Sequence, residues 1–222
     1  MPKPVIHIFD LDRTITRLPT YTPFLLAAAR MRAPWRLLLI PCLIPFLLGY
    51  VMKLLGRKHL KQTMHAVMLG STIAKEDVTA LAEKFAQNLM ADGLFVDIIS
   101  IIERAQTRGE RVIIATASHI FYVSAIAAKL GISEIVATGS VWNGDMLTPQ
   151  ISGENCYGPA KLAMIVAYFS KQNIDRAAHH IIFYSDHISD LPTFEWCDEP
   201  VAKNASKKLH AVALARGWQI LA

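Results

Sequence analysis

Three short apolar runs have the length and composition of buried β-strands, at residues 5–9, 111–115 and 181–184. Helical patterns lie between them. The pattern at residues 121–130 ends at Gly131, and the one at residues 159–169 opens with Pro159, whose missing N–H costs little in a first turn. Strands that alternate with helices predict an α/β fold in which helices cover both faces of a parallel sheet.

Two stretches depart from this alternation. Residues 139–153 contain an Asn-Gly turn between two β-rich runs, which is typical of a β-hairpin. Residues 15–100 lack strand signals, and residues 76–90 have the spacing of an amphipathic helix. We therefore predict a catalytic core formed by residues 1–14 and 101–222, and a helical cap formed by residues 15–100.

The cap contains 16 consecutive uncharged residues, 37–52. A membrane-spanning helix needs about 20 apolar residues, and Pro41 and Pro45 would kink a helix here. A single crossing would also place the chain before and after the cap on opposite sides of the membrane, although the site described below needs both. The stretch therefore predicts either a kinked helix lying in a membrane interface, or apolar surface buried within the cap or in a dimer.

The charge distribution separates the cap from the rest of the chain. From Arg13 to Lys75 there are ten Lys or Arg residues and no Asp or Glu, whereas the remainder carries 13 basic and 18 acidic residues. Basic side chains beside Leu, Ile and Phe favour an anionic membrane surface, where each contributes about 1 kcal/mol. A nucleic-acid partner is not indicated, because the basic residues alternate with Leu, Ile and Pro and not with stacking aromatics.

Two carboxylates follow the first predicted strand, Asp10 and Asp12. At this spacing both can face one pocket, so that one carboxylate attacks a phosphoryl group and the other transfers protons. An Asp-x-Asp pair also suits a turn or a calcium loop. A calcium loop of the EF-hand type is excluded, because Ile15 and Tyr21 occupy the positions that need Gly and Glu.

Polar groups also follow the other strands, at the edge where open α/β sheets place their sites. Thr116 and Ala117 follow the second strand, where a hydroxyl and free N–H groups can hold phosphate oxygens or cap the next helix. Lys161 lies in the first turn of a predicted helix, where a cation is unfavourable for the helix dipole. This position favours a role in the site, and the alternative is an ordinary surface lysine. Asp186 and Asp190 suit Mg²⁺, although Asp190 could instead cap a helix.

These four segments, in this order, resemble the motifs of the haloacid dehalogenase superfamily of phosphatases. The residues that carry the resemblance are Asp10, Asp12 and Thr14, then Thr116, then Lys161, then Asp186 and Asp190. The resemblance covers the whole chain. It implies a Rossmann-like three-layer core with a parallel sheet and a helical cap inserted after the first strand.

The same resemblance implies a Mg²⁺-dependent reaction through an aspartyl phosphate, with Asp10 as the nucleophile and Asp12 as the acid and base. The implied phosphate-binding residues are Thr116, Ala117 and Lys161. The implied metal ligands are Asp10, the main-chain carbonyl of Asp12, and Asp186, with Asp190 orienting the metal shell.

Finer features resemble subfamily IB, which contains phosphoserine phosphatase, at residues 116–118, 155–158 and 217–221. The apolar, basic cap resembles that of bacterial phosphatidylglycerophosphatases. This likeness implies a lipid-linked substrate such as phosphatidylglycerophosphate, and a cytoplasmic protein that is peripheral at the inner membrane. A phosphatase of small soluble metabolites is the alternative, and a binding module without catalysis is a third hypothesis.

Composition agrees with a cytoplasmic location. The three cysteines are scattered without metal-ligand spacing, and the N-terminal residues lack a secretion signal. Two positions depart from the family pattern. Arg13 and Ser185 each stand where Gly is common. A third difference is that the Gly-Gly that follows the second-motif hydroxyl in phosphoserine phosphatases is absent here.

Overall fold

The computed structural model describes residues 3–221. These residues form eight strands: β1 (Val5–Phe9), β2 (Ile73–Ala74), β3 (Arg111–His119), β4 (Glu134–Asn143), β5 (Met146–Ser152), β6 (His180–Ser185), β7 (Glu199–Lys203) and β8 (Gln219–Leu221). Their order across the sheet is β2-β5-β4-β3-β1-β6-β7-β8. The run from β4 to β8 is parallel throughout, and β5 and β2 extend it antiparallel. The predicted α/β fold with a parallel sheet is confirmed.

The described chain also forms nine α-helices: α1 (Tyr21–Arg32), α2 (Ile44–Val51), α3 (Arg57–Leu69), α4 (Lys75–Asp92), α5 (Val96–Thr107), α6 (Ile120–Lys129), α7 (Pro159–Lys171), α8 (Leu191–Trp196) and α9 (Lys207–Arg216). Short 3₁₀ helices lie at Pro34–Leu43, Arg176–Ala178 and Ile188–Asp190. One face of the sheet packs against α5 and α6, and the other against α7, α8 and α9. Helices on both faces give the predicted three layers.

Strand β1 shows why the sequence reads as a continuous apolar run. Side chains alternate between the two faces of a strand. Ile6 and Ile8 lie in the core beneath α7 to α9, whereas Phe9 lies in the core on the opposite face. All three are fully buried. A central strand with helices on both sides has no face open to water, so apolar residues occupy nearly every position.

The strand ends differ from the predicted ones. Strand β3 does not stop before Thr116 but continues to His119, with a register shift between these two residues. The first half of β4 pairs with β3 in parallel, and its second half forms the predicted hairpin with β5. The pattern of apolar and polar residues along the chain did not predict β7, β8 or the first half of β4. Their placement depends on neighbouring strands rather than on a local alternation.

The insert leaves the core after β1 and returns before α5. Its two ends meet in an antiparallel bridge between Thr16 and Leu94. Within it, α4 packs on the core helix α6, and α3 packs against the hairpin strand β5. The predicted boundary at residue 100 lies inside α5, which is one continuous helix from Val96. The two-residue strand β2 was missed because it is too short to carry a pattern.

The apolar stretch of the cap lies on the surface. Among the described residues, the segment Pro34–Val51 is the one helical segment apolar enough to cross a membrane, with 18 residues and a mean hydropathy of 1.6, and none of it is buried. It consists of the first 3₁₀ helix followed by α2. Leu38 is 80% exposed and Val51 is 68% exposed. The segment contacts α1 and α3, but it is not buried within the cap, which was one of the predicted alternatives.

Candidate active site

Three neighbouring strands at the middle of the sheet bring the site together. Asp10 directly follows β1, Thr116 lies near the end of β3, and Asp186 directly follows β6. The carboxyl ends of these parallel strands share one edge of the sheet. A cavity of about 200 Å³ opens there, and six of the predicted residues line it: Asp10, Asp12, Ala117, Lys161, Asp186 and Asp190.

Lys161 joins the first and last motifs. Its Nζ donates to Asp10 Oδ1 at 2.9 Å and to Asp190 Oδ2 at 2.6 Å. The side chain is 2% exposed and lies in the first turn of α7, which begins after Gly158. Gly158 has a φ of 59°, a left-handed conformation that favours glycine. This turn places the ammonium between two carboxylates, which offsets the cost of a cation at a helix N-terminus.

The cavity contains more negative charge than Lys161 can balance. Burial raises the pKa of Asp10 to about 7, against the opposing effect of Lys161, and the three neighbouring carboxylates add to the increase. Burial, with Asp190, also raises the pKa of Asp186 to about 6. Burial alone would lower the pKa of Lys161, but Asp10 and Asp190 raise it above its ordinary value. A second cation is therefore electrostatically favoured between Asp10 and Asp186.

Mg²⁺ fits this donor set. It prefers oxygen ligands and usually keeps several waters, so two carboxylates and one main-chain carbonyl suffice. No three Asp, Glu, His or Cys side chains converge on one metal position within residues 3–221. The predicted set is Asp10 and Asp186 through their side chains and Asp12 through its carbonyl. Asp190 Oδ1 is buried without a hydrogen-bond partner in the described chain, so it is available to orient a metal-bound water.

Three hydrogen bonds hold the Asp12 carboxylate. Its Oδ1 accepts from the N–H and the hydroxyl of Thr20, both at 2.7 Å, and its Oδ2 accepts from the Ser118 hydroxyl at 2.8 Å. The Thr20 hydroxyl lies 3.0 Å from the hydroxyl of Tyr122, which is the donor because Thr20 already donates to Asp12. The side chain thus faces Thr20, which precedes α1, and the irregular segment 116–118 of β3, which we call the β3 loop.

Thr116 is predicted to bind phosphate, but its side chain is not among those that line the cavity. This residue is fully buried beside Ala117, which lines the cavity, and its hydroxyl accepts from the Ser118 N–H at 3.1 Å. The hydroxyl does not cap α6, whose preceding residue, His119, makes no side-chain capping bond in the described chain. The register shift in β3 has the form of a β-bulge, which turns Ala117 and Ser118 towards the cleft.

The two departures from the family pattern have local explanations. Arg13 has a φ of 61°, in the left-handed region, which is why Gly is usual at that position. Its side chain lines the cavity and lowers the pKa of Asp186, although burial outweighs this effect. The Ser185 hydroxyl donates to Asp190 Oδ2 at 2.7 Å and so orients a carboxylate that glycine would leave without this bond.

Sequence reasoning missed three residues of the site. Thr20 donates to Asp12 and is itself hydrogen-bonded to Tyr122, and no motif or spacing marks either of them. The cap helix α3 also contributes Arg57, whose guanidinium lies 4.1 Å from the ring centre of Tyr157 and lines the same cavity. The sequence analysis counted Arg57 only among the basic residues of the cap. The packing of the cap against the core, which is a tertiary contact, brings Arg57 to the site.

The motif geometry agrees with comparisons to known proteins. The profile of the haloacid dehalogenase-like hydrolases matches residues 8–195, which is most of the chain. The chain belongs to the haloacid dehalogenase-like hydrolases. The predicted superfamily is therefore confirmed, and with it the assignment of the chain as an enzyme of the hydrolase class.

Individual relatives are more distant. The Inhibition of morphological differentiation protein of Streptomyces azureus is 30% identical over 146 residues, which is 66% of this chain and 52% of that protein. The chain spans about half the length of the first curated relatives that it matches.

Solved structures share the fold of this haloacid dehalogenase-like hydrolase. A Bordetella pertussis Tohama I protein of unknown function has a TM-score of 0.85 at 22% identity, with 99% of each chain covered. A structure described as a phospho-aspartyl intermediate analogue of phosphoserine phosphatase has a TM-score of 0.63 at 16% identity, covering 100% of this chain and 93% of that one. At these identities the likeness shows the fold alone.

Proposed function

We propose that the protein is a Mg²⁺-dependent phosphomonoester hydrolase that acts through an aspartyl phosphate on Asp10. The observation that carries the proposal is the cavity at the sheet edge, where Asp10 contacts Lys161 while Asp12 is held separately by other donors. Two carboxylates in different environments suit two roles in one reaction. Membership of the haloacid dehalogenase-like hydrolases supports a hydrolytic reaction.

In the first step, an Asp10 carboxylate oxygen attacks phosphorus, and the bond from phosphorus to the substrate oxygen breaks. Asp12, in its protonated form, delivers a proton to that leaving oxygen. Lys161 and the N–H groups of the β3 loop bind phosphoryl oxygens, since charge stabilisation dominates phosphoryl transfer. Asp10 and Asp186 with the Asp12 carbonyl would hold Mg²⁺, which supplies further positive charge to the phosphoryl group.

In the second step, water attacks phosphorus of the aspartyl phosphate and loses a proton to Asp12. The bond between phosphorus and Asp10 breaks, which releases inorganic phosphate, restores the Asp10 carboxylate and leaves Asp12 protonated for the next turnover. The hydrogen bonds from Thr20 and Ser118 keep Asp12 oriented through both steps. The cap closes over the cavity through Arg57, which limits access of bulk water.

The test is a phosphate-release screen of p-nitrophenyl phosphate, phosphoserine, glycerol 3-phosphate and phosphatidylglycerophosphate in detergent micelles. We expect release from at least one compound with Mg²⁺. Chelation by EDTA should lower the rate about 100-fold or more, because a metal ion contributes several kcal/mol of charge stabilisation. No release from any compound with Mg²⁺ present would refute the proposal.

The comparisons favour a small soluble substrate, since solved structures that share the fold include substrate-bound phosphoserine phosphatase. The cavity of about 200 Å³ also suits a compact phosphorylated group. A second candidate, a lipid phosphate at a membrane surface, is favoured by the exposed apolar face of the cap. We define this apolar cap face by Leu38, Ile44, Leu47, Leu48 and Val51, all at least half exposed.

Helix α2, which carries four of the five residues of the apolar cap face, also reaches the catalytic cleft. Tyr50, at the end of α2, lines a cavity of about 250 Å³ together with Arg57, Asp12 and Ala117. Arg30 and Lys53 are exposed on either side of the apolar segment. Apolar side chains flanked by cations match the chemistry of an anionic bilayer interface. A lipid held there by its acyl chains could present its phosphorylated head group to Asp10.

The double substitution Leu38→Glu and Leu47→Glu tests the lipid candidate. Wild type is expected to co-sediment with vesicles of equal parts phosphatidylglycerol and phosphatidylcholine, and the double variant should bind at least tenfold more weakly, because each Glu adds repulsion and removes apolar contact. Leu214→Glu is the matched control, since Leu214 is 64% exposed on the distant helix α9. Equal sedimentation of wild type and double variant would exclude docking through this face.

A further inference from the structure

A buried lysine from the cap contacts the β3 loop of the core. Lys61 lies on α3 and is 6% exposed. Its Nζ donates to the main-chain oxygen of Ala117 at 2.5 Å and to Asn155 Oδ1 at 2.8 Å. Asn155 belongs to the segment before α7, so one ammonium joins the cap to two core loops that flank the cavity.

The Ala117 carbonyl and the Ser118 N–H belong to the same planar peptide unit. A donor that fixes the carbonyl therefore fixes the direction of the N–H as well. That N–H donates to the Thr116 hydroxyl, and the Ser118 hydroxyl donates to Asp12. The contact made by Lys61 is thus transmitted through one peptide to Thr116, a predicted phosphate-binding residue, and to Asp12, the proposed acid and base.

Stability alone does not account for a charged residue here. Both hydrogen-bond acceptors of Lys61 are neutral oxygens, and a buried ammonium without an ion pair costs free energy. Burial, aided by Arg57, lowers the pKa of Lys61 to about 7, although Asp12 and Asp10 oppose the decrease. The Ala117 carbonyl also accepts from the Thr138 hydroxyl at 2.7 Å, so it would keep a partner without Lys61.

We propose that Lys61 is a positioning residue for catalysis, which couples closure of the cap to the alignment of the Thr116–Ser118 loop and of Asp12. The inference rests on the proposed phosphatase function, and it adds a cap residue to the residues that support catalysis. When the cap is closed, the ammonium holds the Ala117 peptide in the orientation that the reaction needs. When the cap opens, that restraint is lost, and the loop is free to release phosphate.

The substitution Lys61→Met tests this role, because it keeps the length of the side chain and removes its donors. With p-nitrophenyl phosphate and Mg²⁺, kcat should fall about 10- to 100-fold while KM changes less than threefold, since misalignment acts on the transition state. The melting temperature should stay equal or rise, because a buried charge is removed. Protection against thermal unfolding by inorganic phosphate with Mg²⁺ should also weaken.

Lys58→Met is the matched control. Lys58 lies on the same helix and also donates to a core carbonyl, that of Gly153 at 2.6 Å, but far less of it is buried. We expect its kcat to stay within twofold of wild type. If Lys61 only stabilised the contact between cap and core, Lys61→Met would raise KM at constant kcat. That result would overturn the proposal. Equal kcat in wild type and Lys61→Met, with wild type active, would overturn it without affecting the proposed function.

Discussion

Replacing Asp10 with Asn is expected to abolish phosphate release and to leave the fold intact. The amide has the size of the carboxylate but cannot attack phosphorus, and loss of a nucleophile lowers kcat by about 10³-fold or more. The fold should tolerate the change because Lys161 keeps its ion pair with Asp190 at 2.6 Å. The raised pKa of Asp10 also means that the charged form is not a source of stability.

Two measurements check this prediction. Steady-state phosphate release gives the loss in kcat, and acid quenching of wild type with a ³²P-labelled phosphomonoester should trap label on the protein, whereas the variant should trap none. Asp145→Asn is the matched control, since Asp145 is exposed in the turn between β4 and β5. An Asp10→Asn protein that keeps more than a tenth of the wild-type rate would assign the nucleophile to another group.

Replacing Lys161 with Met is expected to affect both stability and activity. Asp10 and Asp190 would lose the buried cation between them, and removing one partner of a buried ion pair costs about 3–5 kcal/mol. The rate of phosphate release should fall about 10²- to 10³-fold, as for the loss of one group that stabilises charge in the transition state. Urea unfolding in EDTA at pH 8 measures the first effect, and phosphate release with Mg²⁺ measures the second.

The stability deficit of Lys161→Met should shrink as the pH falls. Lys161 lowers the pKa of Asp10, so its removal raises that pKa further above about 7, while the unfolded value stays near 3.8. A carboxyl whose pKa is raised on folding binds its proton preferentially in the folded state, so stability recovers as the pH falls from 8 towards 5. Lys171→Met, at the exposed end of α7, is the control. A deficit that is the same at both pH values would contradict the charge argument.

The central strands and the motif residues could be predicted because their signals are local. Residues 5–9 read as a buried strand and form β1 with the same bounds. The Asn-Gly turn forms the hairpin between β4 and β5, and Pro159 opens α7. Since the carboxyl ends of parallel strands share one edge, Asp10 and Asp186 were expected at one place, and both line one cavity. Lys161, which the family resemblance placed in the same site, lines that cavity from the first turn of α7.

Other features depend on contacts between distant parts of the chain. The orientation of Asp12 is set by Thr20 and Ser118, and Ser118 lies 106 positions beyond Asp12. The bulge in β3 follows from pairing with β4, which no pattern in residues 111–119 marks. The exposure of residues 37–52 likewise depended on how the cap packs, since an uncharged apolar stretch suits a buried helix and a surface one equally well.

The amino-acid sequence by itself determined the three-layer α/β core, the carboxylates at its strand ends and the basic, apolar character of the cap. These are properties of composition and spacing, which hydrophobic burial and strand geometry translate directly into structure. The tertiary structure alone decided that Lys61 and Arg57 reach the core from the cap, and that the apolar cap face lies open to solvent. Such contacts join segments far apart in the chain, so no local pattern encodes them.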